Sequence, residues 1–237
     1  MTLEYHVHFT RALVVRLGAE FAIIVIGVLV ALTVDAWVED RSHRQLEVQL
    51  LGELRADLDS LSFHANRVLK FDEAVAASLE RLIGGLAQSE LPPSDSLTKW
   101  YLDGVRFPLY RPSAPIADAL FATGDIALVR DIEIRRLIST HYQRVRQVSS
   151  VLDILDEAWL DGVADMNHRV HKAGASDSVD WSLIASRGAL KGILVTQGTI
   201  AQSRATYVQY LLMSVDPLVA ELERVLPKSR AALSNKR

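Results

Sequence analysis

The amino-acid sequence predicts an all-α protein in which an N-terminal transmembrane helix continues into an antiparallel bundle of three to four long helices. Three observations support this fold class. Residues 21–34 carry no charge, later segments repeat apolar residues at spacings of three and four, and only 12 Gly and 7 Pro occur among 237 residues, which together favour helices. The expected organisation is an N-terminal tail at 1–16, a transmembrane helix at 17–38, a helical bundle domain at 39–226 and a polar C-terminal tail at 227–237.

The apolar segment at 17–38 is long enough to cross a bilayer. At a rise of 1.5 Å per residue it spans roughly 33 Å, about the thickness of the hydrocarbon layer. Glu20 and Asp35, the two acidic residues inside it, lie near its ends, where the headgroup region can solvate them. The lipid bilayer is therefore the first expected partner.

Two other interpretations of this segment stay open. A cleaved signal peptide needs small residues at the cut, and residues 34–36 could supply them, but the region before the apolar run holds only Arg11 and Arg16 as positive residues. A core helix of a soluble protein would also accommodate the uncharged stretch at 21–34. The length of the wider window favours a membrane-spanning helix over both.

One face of the expected transmembrane helix carries small and ionisable residues. A turn of 100° per residue places four of them on one narrow stripe, namely Glu20, Gly27, Ala31 and Asp35. Small residues four positions apart let two helix backbones approach closely, which promotes helix association in lipid. The stripe therefore predicts a homo-oligomer or association with another membrane helix. Chance is the alternative, because Gly and Ala are common in such helices.

The end of the transmembrane segment resembles the anchor of a known family. Trp37 lies where an interfacial aromatic residue is expected, and Glu39 and Arg41 follow it. The segment is similar to the pattern G-E-x6-G-I-L-I-A-L-Q-x-N-N-W-N-E-x-R of a domain-of-unknown-function family of small bacterial single-pass membrane proteins. The matching positions are Glu20, Gly27, Ala31, Leu32, Trp37, Glu39 and Arg41. The chain departs from the pattern at Ala19 and, where the family prefers Gln or Asn, at Thr33, Asp35, Ala36 and Val38.

A second stretch is similar to the same family. Residues 123–130 resemble its S-G-x-L-x-L-I segment, and residues 133–135 with 141–142 resemble its E-L-R…Y-Y helix. The resemblance implies a single-pass, all-helical protein of the bacterial inner membrane. It implies no activity, because the family has none to transfer.

The flanking charges and the resemblance together bear on orientation. Arg11 and Arg16 precede the helix and Arg41 and Arg44 follow it, so the positive-inside rule alone does not decide between the two orientations. The family tends to carry a basic tail before the same helix, which implies a cytoplasmic tail. We therefore expect the bundle domain in the periplasm.

The first bundle helix follows directly from the apolar periodicity. From Leu51 to Leu86 apolar residues recur every three or four positions, which predicts a long amphipathic helix that continues from the anchor and ends before Pro92. Shorter helices are expected at 96–105 and 113–122.

Helix-end signals predict the next boundaries. Pro115 in the first turn and Gly124 just past the last turn delimit the second short helix. Asp131 can cap a long third helix whose apolar stripe runs from Ile134 to Val170.

The last region is expected to contain one more long helix. A polar loop at 174–180 precedes it, and Gly188 and Gly192 lie before its predicted start. A kink is expected at Asp216-Pro217, because proline removes a backbone hydrogen bond from a helix.

Composition and motifs argue against several kinds of chemistry. The net charge of −3 gives no basic face for nucleic acid, and the absence of Cys excludes a thiolate metal site or a thiol nucleophile. Asp165, His168 and His171 are spread over about 120° of the helix circumference and about 9 Å of its length, so the three are not expected to converge on one ion. Asp161, Asp165 and His168 share a face better but lack ligands from a facing helix. We therefore expect no metal, no other cofactor and no catalytic residues.

The segment at 100–115 interleaves aromatic residues with arginine. Its candidate partner-binding residues are Trp100, Tyr101, Arg106, Phe107, Tyr110 and Arg111, which are types that dominate binding hot spots. The competing interpretation is a lid whose aromatic side chains close the end of the bundle, and this interpretation is favoured because loops over cores commonly do so.

These observations predict a membrane-anchored helical interaction or sensor-like module that is not an enzyme. The alternative is an enzyme or metal-binding protein whose site is assembled between bundle helices. Carboxylates and histidines buried between helices would favour the alternative, and a wholly aliphatic core would favour the first hypothesis.

Overall fold

The computed structural model describes the backbone of residues 4–173 and 179–234, and the side chains of 20–170, 179–186, 188 and 190–227. Its helices are α1 (Glu4–Leu86), α2 (Ser94–Gly104), α3 (Pro115–Thr123), α4 (Ile132–Ala173), α5 (Trp181–Arg187), α6 (Ala189–Leu212) and α7 (Val215–Ser234), with a 3₁₀ turn at Asp125–Leu128. The described part of the chain contains no strand, and the all-α fold class is confirmed.

Helix α1 is one continuous element that includes the predicted anchor and the first bundle helix. No proline interrupts it between Glu4 and Leu86, so the predicted anchor and the first bundle helix can form one helix. The predicted N-terminal tail at 1–16 is helical from Glu4 onwards, so it is not separate from the anchor in secondary structure.

Three long rods form the bundle: α1 beyond the anchor, α4, and α6 followed by α7. Cross-contacts fix their directions, and they join Glu47 to Arg130, Arg55 to Glu223, and His141 to Ser214. Residue numbers rise together along α1 and α4, so these two rods run parallel, whereas α6 and α7 run antiparallel to both. The parallel pair requires a return connection, and α2, α3 and the 3₁₀ turn provide it.

The bundle core has two parts along its length. Near the anchor, α1 and α4 pack against α6 and α7 through a set of buried aliphatic residues that includes Leu51, Leu54, Leu58, Ile134, Ile138, Val208, Leu211, Leu218 and Leu222. At the far end a second set includes Val75, Leu79, Leu82, Trp159, Met166, Trp181, Leu190 and Leu194. Each fully buried aliphatic side chain contributes about 1.5–3 kcal/mol relative to exposure, so these stripes hold the rods together.

The predicted signals for the start and end of α3 and for the start of α4 are confirmed. Pro115 is the first residue of α3, and Gly124 ends it in the left-handed conformation with φ of 81°. The Asp131 carboxylate accepts hydrogen bonds from the amides of Glu133 (2.9 Å) and Ile134 (3.2 Å), which satisfies two amides of the first turn of α4.

The region after α4 differs from the sequence-based expectation. Residues 174–178 of the predicted loop lie outside the described residues, and Asp180 caps a short helix, α5, that the periodicity did not predict. Gly188, with φ of 60°, separates α5 from α6. Gly192 lies inside α6 rather than before it, so the predicted start of the last helix was wrong. A helix interior tolerates a single glycine at about 1 kcal/mol.

The predicted kink in the last helix is a complete break at Met213 and Ser214. Pro217 lies in the first turn of α7, where its missing amide has no intrahelical partner to lose. Helix α7 then continues past Pro227 to Ser234, so much of the predicted polar tail at 227–237 is helical.

Candidate functional site

The anchor segment of α1 is uncovered by the bundle. Its large apolar side chains are exposed, including Phe21 at 69% and Leu32 at 60%, and none of its most apolar window is buried. Among the described residues, α1 is the one helix long and apolar enough to span a membrane. The exposed apolar surface is what a helix in lipid presents, and water would penalise it.

The predicted association stripe lies on this uncovered segment. A Cβ added at Gly27 would meet nothing within 4 Å, and Ala31 and Asp35 are likewise exposed. Glu20 lies at the other end of the same face and is exposed as well. The bundle of the same chain therefore leaves the stripe accessible to another helix.

Just after the anchor, three charged residues fasten α1 to the start of α4. Arg130 pairs with Asp40, and its backbone amide donates to the Glu47 carboxylate at 2.7 Å. We call Asp40, Glu47 and Arg130 the Arg130 clamp. Hydrogen bonds from Arg130 and then from Arg44 lower the pKa of Asp40 below its usual value. The clamp fixes the bundle to α1 at the point where the helix leaves the apolar segment.

The clamp also joins the two stretches that carried the family resemblance. On α1, Trp37 is exposed, the Arg41 guanidinium lies 5.7 Å from its ring centroid, and exposed Glu39 lies between them. The second stretch ends at Arg130, which pairs with Asp40 within the first stretch.

Comparison with protein-family models, with curated proteins and with solved structures gives no match. The resemblance therefore stays an expectation from the sequence.

The aromatic residues of the 100–115 segment point into the bundle. Tyr101 is buried and its hydroxyl donates to Asn167 at 2.5 Å, while Phe107 stacks on Trp159 at 5.8 Å between ring centroids. Trp100 and Tyr110 are half-buried against the two cores. This packing agrees with the lid interpretation.

The arginines of the same segment face outward. Arg106 lies 4.0 Å from the Asp103 carboxylate and Arg111 lies 3.3 Å from that of Asp153, and both arginines are exposed. With the exposed side chain of Leu109, they form the surface left for a partner.

A buried charged cluster that the sequence patterns did not predict lies beneath this segment. Arg204 of α6 is 1% exposed and pairs with Asp72 of α1 at 3.3 Å and with Asp156 of α4. Its guanidinium also donates to the carbonyl of Pro108 at 3.0 Å and lies 4.7 Å from the centroid of the Phe107 ring. We call Asp72, Asp156 and Arg204 the Arg204 cluster. It connects all three rods and the loop.

A signal for the cluster was present in the apolar periodicity. Asp72 lies seven residues from buried Ala65 and seven from buried Leu79, so it occupies the inward stripe of α1. Arg204 lies likewise between buried Gln197 and Leu211 on α6. A charged residue on an inward stripe predicts a buried partner, because an unpaired buried charge is very costly.

The charges of the cluster are not balanced. Two carboxylates share one guanidinium, so the cluster is one negative charge in excess when both acids are ionised. Burial raises the pKa of Asp72 to about 6, although the nearby Arg204 opposes the shift. Burial also lowers the pKa of Arg204, against the opposing effect of Asp72.

A second buried polar pair fastens the break between α6 and α7. His141 of α4 is 1% exposed, and its Nδ1 lies 3.0 Å from the Ser214 hydroxyl. That hydroxyl donates its single proton to the Leu211 carbonyl at 2.7 Å, so His141 Nδ1 must carry a proton and donate to Ser214. Burial, with a smaller contribution from Arg144, lowers the pKa of His141 to about 4. The imidazole is therefore neutral near pH 7.

The described side chains offer no metal centre: none of their groups of three or more His, Asp or Glu could hold an ion. Asp161, Asp165 and His168 are on the described part of α4, and Asp165 pairs with Arg169 at 2.9 Å. The side chain of His171 lies outside the described residues. His141 and the Arg204 cluster are also separate, since residues 141 and 156 lie roughly 22 Å apart along α4.

Replacing Arg204 should destabilise the bundle strongly. Arg204→Met leaves two carboxylates buried without a counter-charge, and we expect a loss of about 3–5 kcal/mol in the free energy of unfolding. Urea unfolding of the full chain in detergent micelles, followed by circular dichroism, measures it. Arg169→Met is the matched control, since its ion pair with Asp165 is exposed and should change stability by only about 0.5 kcal/mol. Equal effects of the two substitutions would contradict a structural role for the cluster.

Acid should weaken the bundle through His141. Because the folded pKa of about 4 lies below the ordinary value of 6.5, the His141 contribution is complete above pH 6.5 and is lost as the pH falls towards 4. The loss should reach about 3 kcal/mol. His141→Asn keeps a neutral donor near the Nδ1 position, so the difference in unfolding free energy between the wild type and this variant should shrink across that range. A difference that stays constant with pH would rule out a buried neutral imidazole.

Proposed function

We propose that this protein is a membrane-anchored helical interaction or sensor-like module, without enzymatic activity, in the bacterial inner membrane. Residues 17–38 are its single transmembrane helix, and the bundle domain lies in the periplasm. The observation that carries this proposal is the continuity of α1, which passes from an uncovered apolar segment directly into the bundle core.

The exposure of the anchor supports a membrane-spanning helix over a soluble core helix. A core helix would be covered by its own domain, whereas the side chains of residues 20–39 are all exposed. The charge pattern along α1 agrees with this, since the Arg130 clamp begins at Asp40, just past the predicted interface. Charged side chains are far less costly there than at the bilayer centre.

The partner proposed for the anchor is a second copy of the chain or another membrane helix. The support is the small and ionisable stripe, which the chain's own bundle leaves uncovered. Helices in lipid associate through close packing of small residues and through polar contacts. Nucleic acid is not proposed as a partner, because the net charge is −3.

A sensor-like role follows from how α1 is connected. A displacement of the anchor acts on the clamp and, further along the same helix, on Asp72 of the Arg204 cluster. Because the cluster contacts α4, α6 and the 105–114 loop, movement of α1 can reach every rod and the surface loop. No further element is required to couple the membrane segment to the outer surface.

The second candidate function is an enzyme or a metal-binding protein with a site between helices. One observation favours it, since the core is not wholly aliphatic and holds Asp72, Asp156 and His141. Against it, Arg204 pairs with both carboxylates. His141 is occupied by Ser214 at a distant level of α4. These groups do not converge on one reacting centre, so the interaction module is the better-supported proposal.

Membrane integration can be tested together with orientation. The full chain, fused after Arg237 to a reporter that fluoresces only in the cytoplasm, should remain in the membrane fraction after carbonate and salt extraction, because an apolar helix of about 20 residues inserts stably. The fusion should also be dark. Release of the full-length fusion into the soluble fraction would refute the anchor, a mature N-terminus near Trp37 would indicate cleavage, and a bright membrane-bound fusion would reverse the orientation.

Association through the stripe can be tested within the membrane. Gly27→Ile and Ala31→Ile should reduce association of the anchor in a two-hybrid assay for membrane helices, because bulky side chains hold the backbones apart. Val28→Leu, next to the stripe in sequence but on another face, is the matched control and should associate as the wild type does. If all three variants behave alike, the stripe has no role in association.

A further inference from the structure

The Arg204 cluster combines an unbalanced charge with a loop that covers it. Asp72 is 3%, Asp156 7% and Arg204 1% exposed in their side chains. The guanidinium contacts both carboxylates and the Pro108 carbonyl, and Phe107 lies over it. The loop at 105–114, between α2 and α3, is therefore fastened to the bundle by the same group that neutralises the two acids.

Among the described side chains, the ion pairs of Asp72 and of Asp156 are both with Arg204, and neither carboxylate has a second positive partner. In the loop, Arg106 lies near Asp103 of α2 and over the Phe71 ring, and Arg111 pairs with Asp153 of α4. Both arginines are exposed. From α6, Gln197 contributes a neutral carboxamide one heptad before Arg204. From α1, Asp57 and His64 line a separate cleft of about 310 Å³ against the other end of the loop. Within the described side chains, Arg204 is the counter-charge that Asp72 and Asp156 share.

We propose that Asp72 and Asp156 together form a site for one additional proton, and that binding of this proton holds the 105–114 loop closed over Arg204. With the proton bound, one carboxylate and one guanidinium balance each other. Without it, a net negative charge is enclosed beneath the loop, and admitting water lowers its free energy. The two acids act as one coupled unit, so the proton belongs to the pair.

The loop is the part of the structure that responds. Asp72, Asp156 and Arg204 are each carried on a long helix with an aliphatic core on either side, so separating the rods would expose many apolar residues. The 105–114 loop is a single short segment with a smaller contact area than a rod. Phe107 stacks on Trp159 and on Arg204, and the Pro108 carbonyl accepts from Arg204. Tyr110 and Ala114 pack on the core, and Arg111 pairs with exposed Asp153. Local opening occurs in the segments whose opening exposes the least buried surface. Deprotonation therefore frees the surface that carries Arg106, Leu109 and Arg111, and this conclusion does not depend on the membrane anchor.

A spin label reports the state of the loop. The chain has no cysteine, so Leu109→Cys places a single nitroxide on the loop, at a side chain that is 66% exposed and should tolerate it. Electron paramagnetic resonance of the full chain in detergent micelles gives the ratio of mobile to immobile label. Since burial raises the Asp72 pKa from 3.8 to about 6, this ratio should rise about tenfold between pH 5 and pH 8.

Substitutions in the labelled protein decide whether the pair is the sensor. Asp72→Asn, or Asp156→Asn if the first variant does not fold, makes the cluster neutral at every pH, and the label should stay immobile throughout. Asp153→Asn and His64→Gln change titratable or charged groups beside the loop but outside the cluster, and each should keep the tenfold response. A nitroxide at Leu102→Cys on α2 should show no response. A wild-type ratio that is flat with pH, or a response that survives in both cluster variants, would overturn the proposal.

Discussion

The other elements of the structure depend on one feature of α1: a single unbroken helix changes from an uncovered apolar surface to a surface with one buried apolar stripe. Between residues 20 and 38 its side chains are exposed and mostly apolar, whereas from Leu51 onwards only an inward stripe is apolar and buried. The transition takes little more than three turns, and in that interval the helix carries Asp40, Arg44 and Glu47. Two of these form the clamp with Arg130. Helices α2, α3, α6 and α7 pack directly on α1, and α4 packs on α6 and α7.

The second determinant is the charge buried in the middle of the bundle. Aliphatic stripes alone define which faces meet, but they permit neighbouring registers with similar burial. Arg204 contacts α1, α4 and the loop at once, and a shift of one turn would separate it from its partners and leave a charge unpaired. We infer that the cluster contributes to the choice of register, a role attested for buried polar groups in other helical assemblies. Burying the second carboxylate without a counter-charge of its own raises the free energy of the folded state.

Much of the fold could be predicted from the sequence because its signals are local. The apolar periodicity of α1 and α4, the Asp131 cap and the Pro115 and Gly124 boundaries each depend on residues within a few positions of one another. The Arg204 cluster could not be assembled in the same way, since Asp72 and Arg204 are 132 positions apart. The break at Met213 and Ser214 was likewise misplaced, because its position depends on His141 from another rod, whereas the sequence pointed to the nearby proline.

The unbroken length of α1 has a mechanical consequence. The far end of α1, at Leu86, lies roughly 70 Å from residue 38 along a helix without a proline hinge. In the proposed arrangement, in which residues 17–38 cross a bilayer, a change of about 20° in helix tilt would move the far end sideways by roughly 24 Å. The bundle would then amplify a small reorientation of the membrane helix into a large displacement of the end that carries α5 and the start of α6.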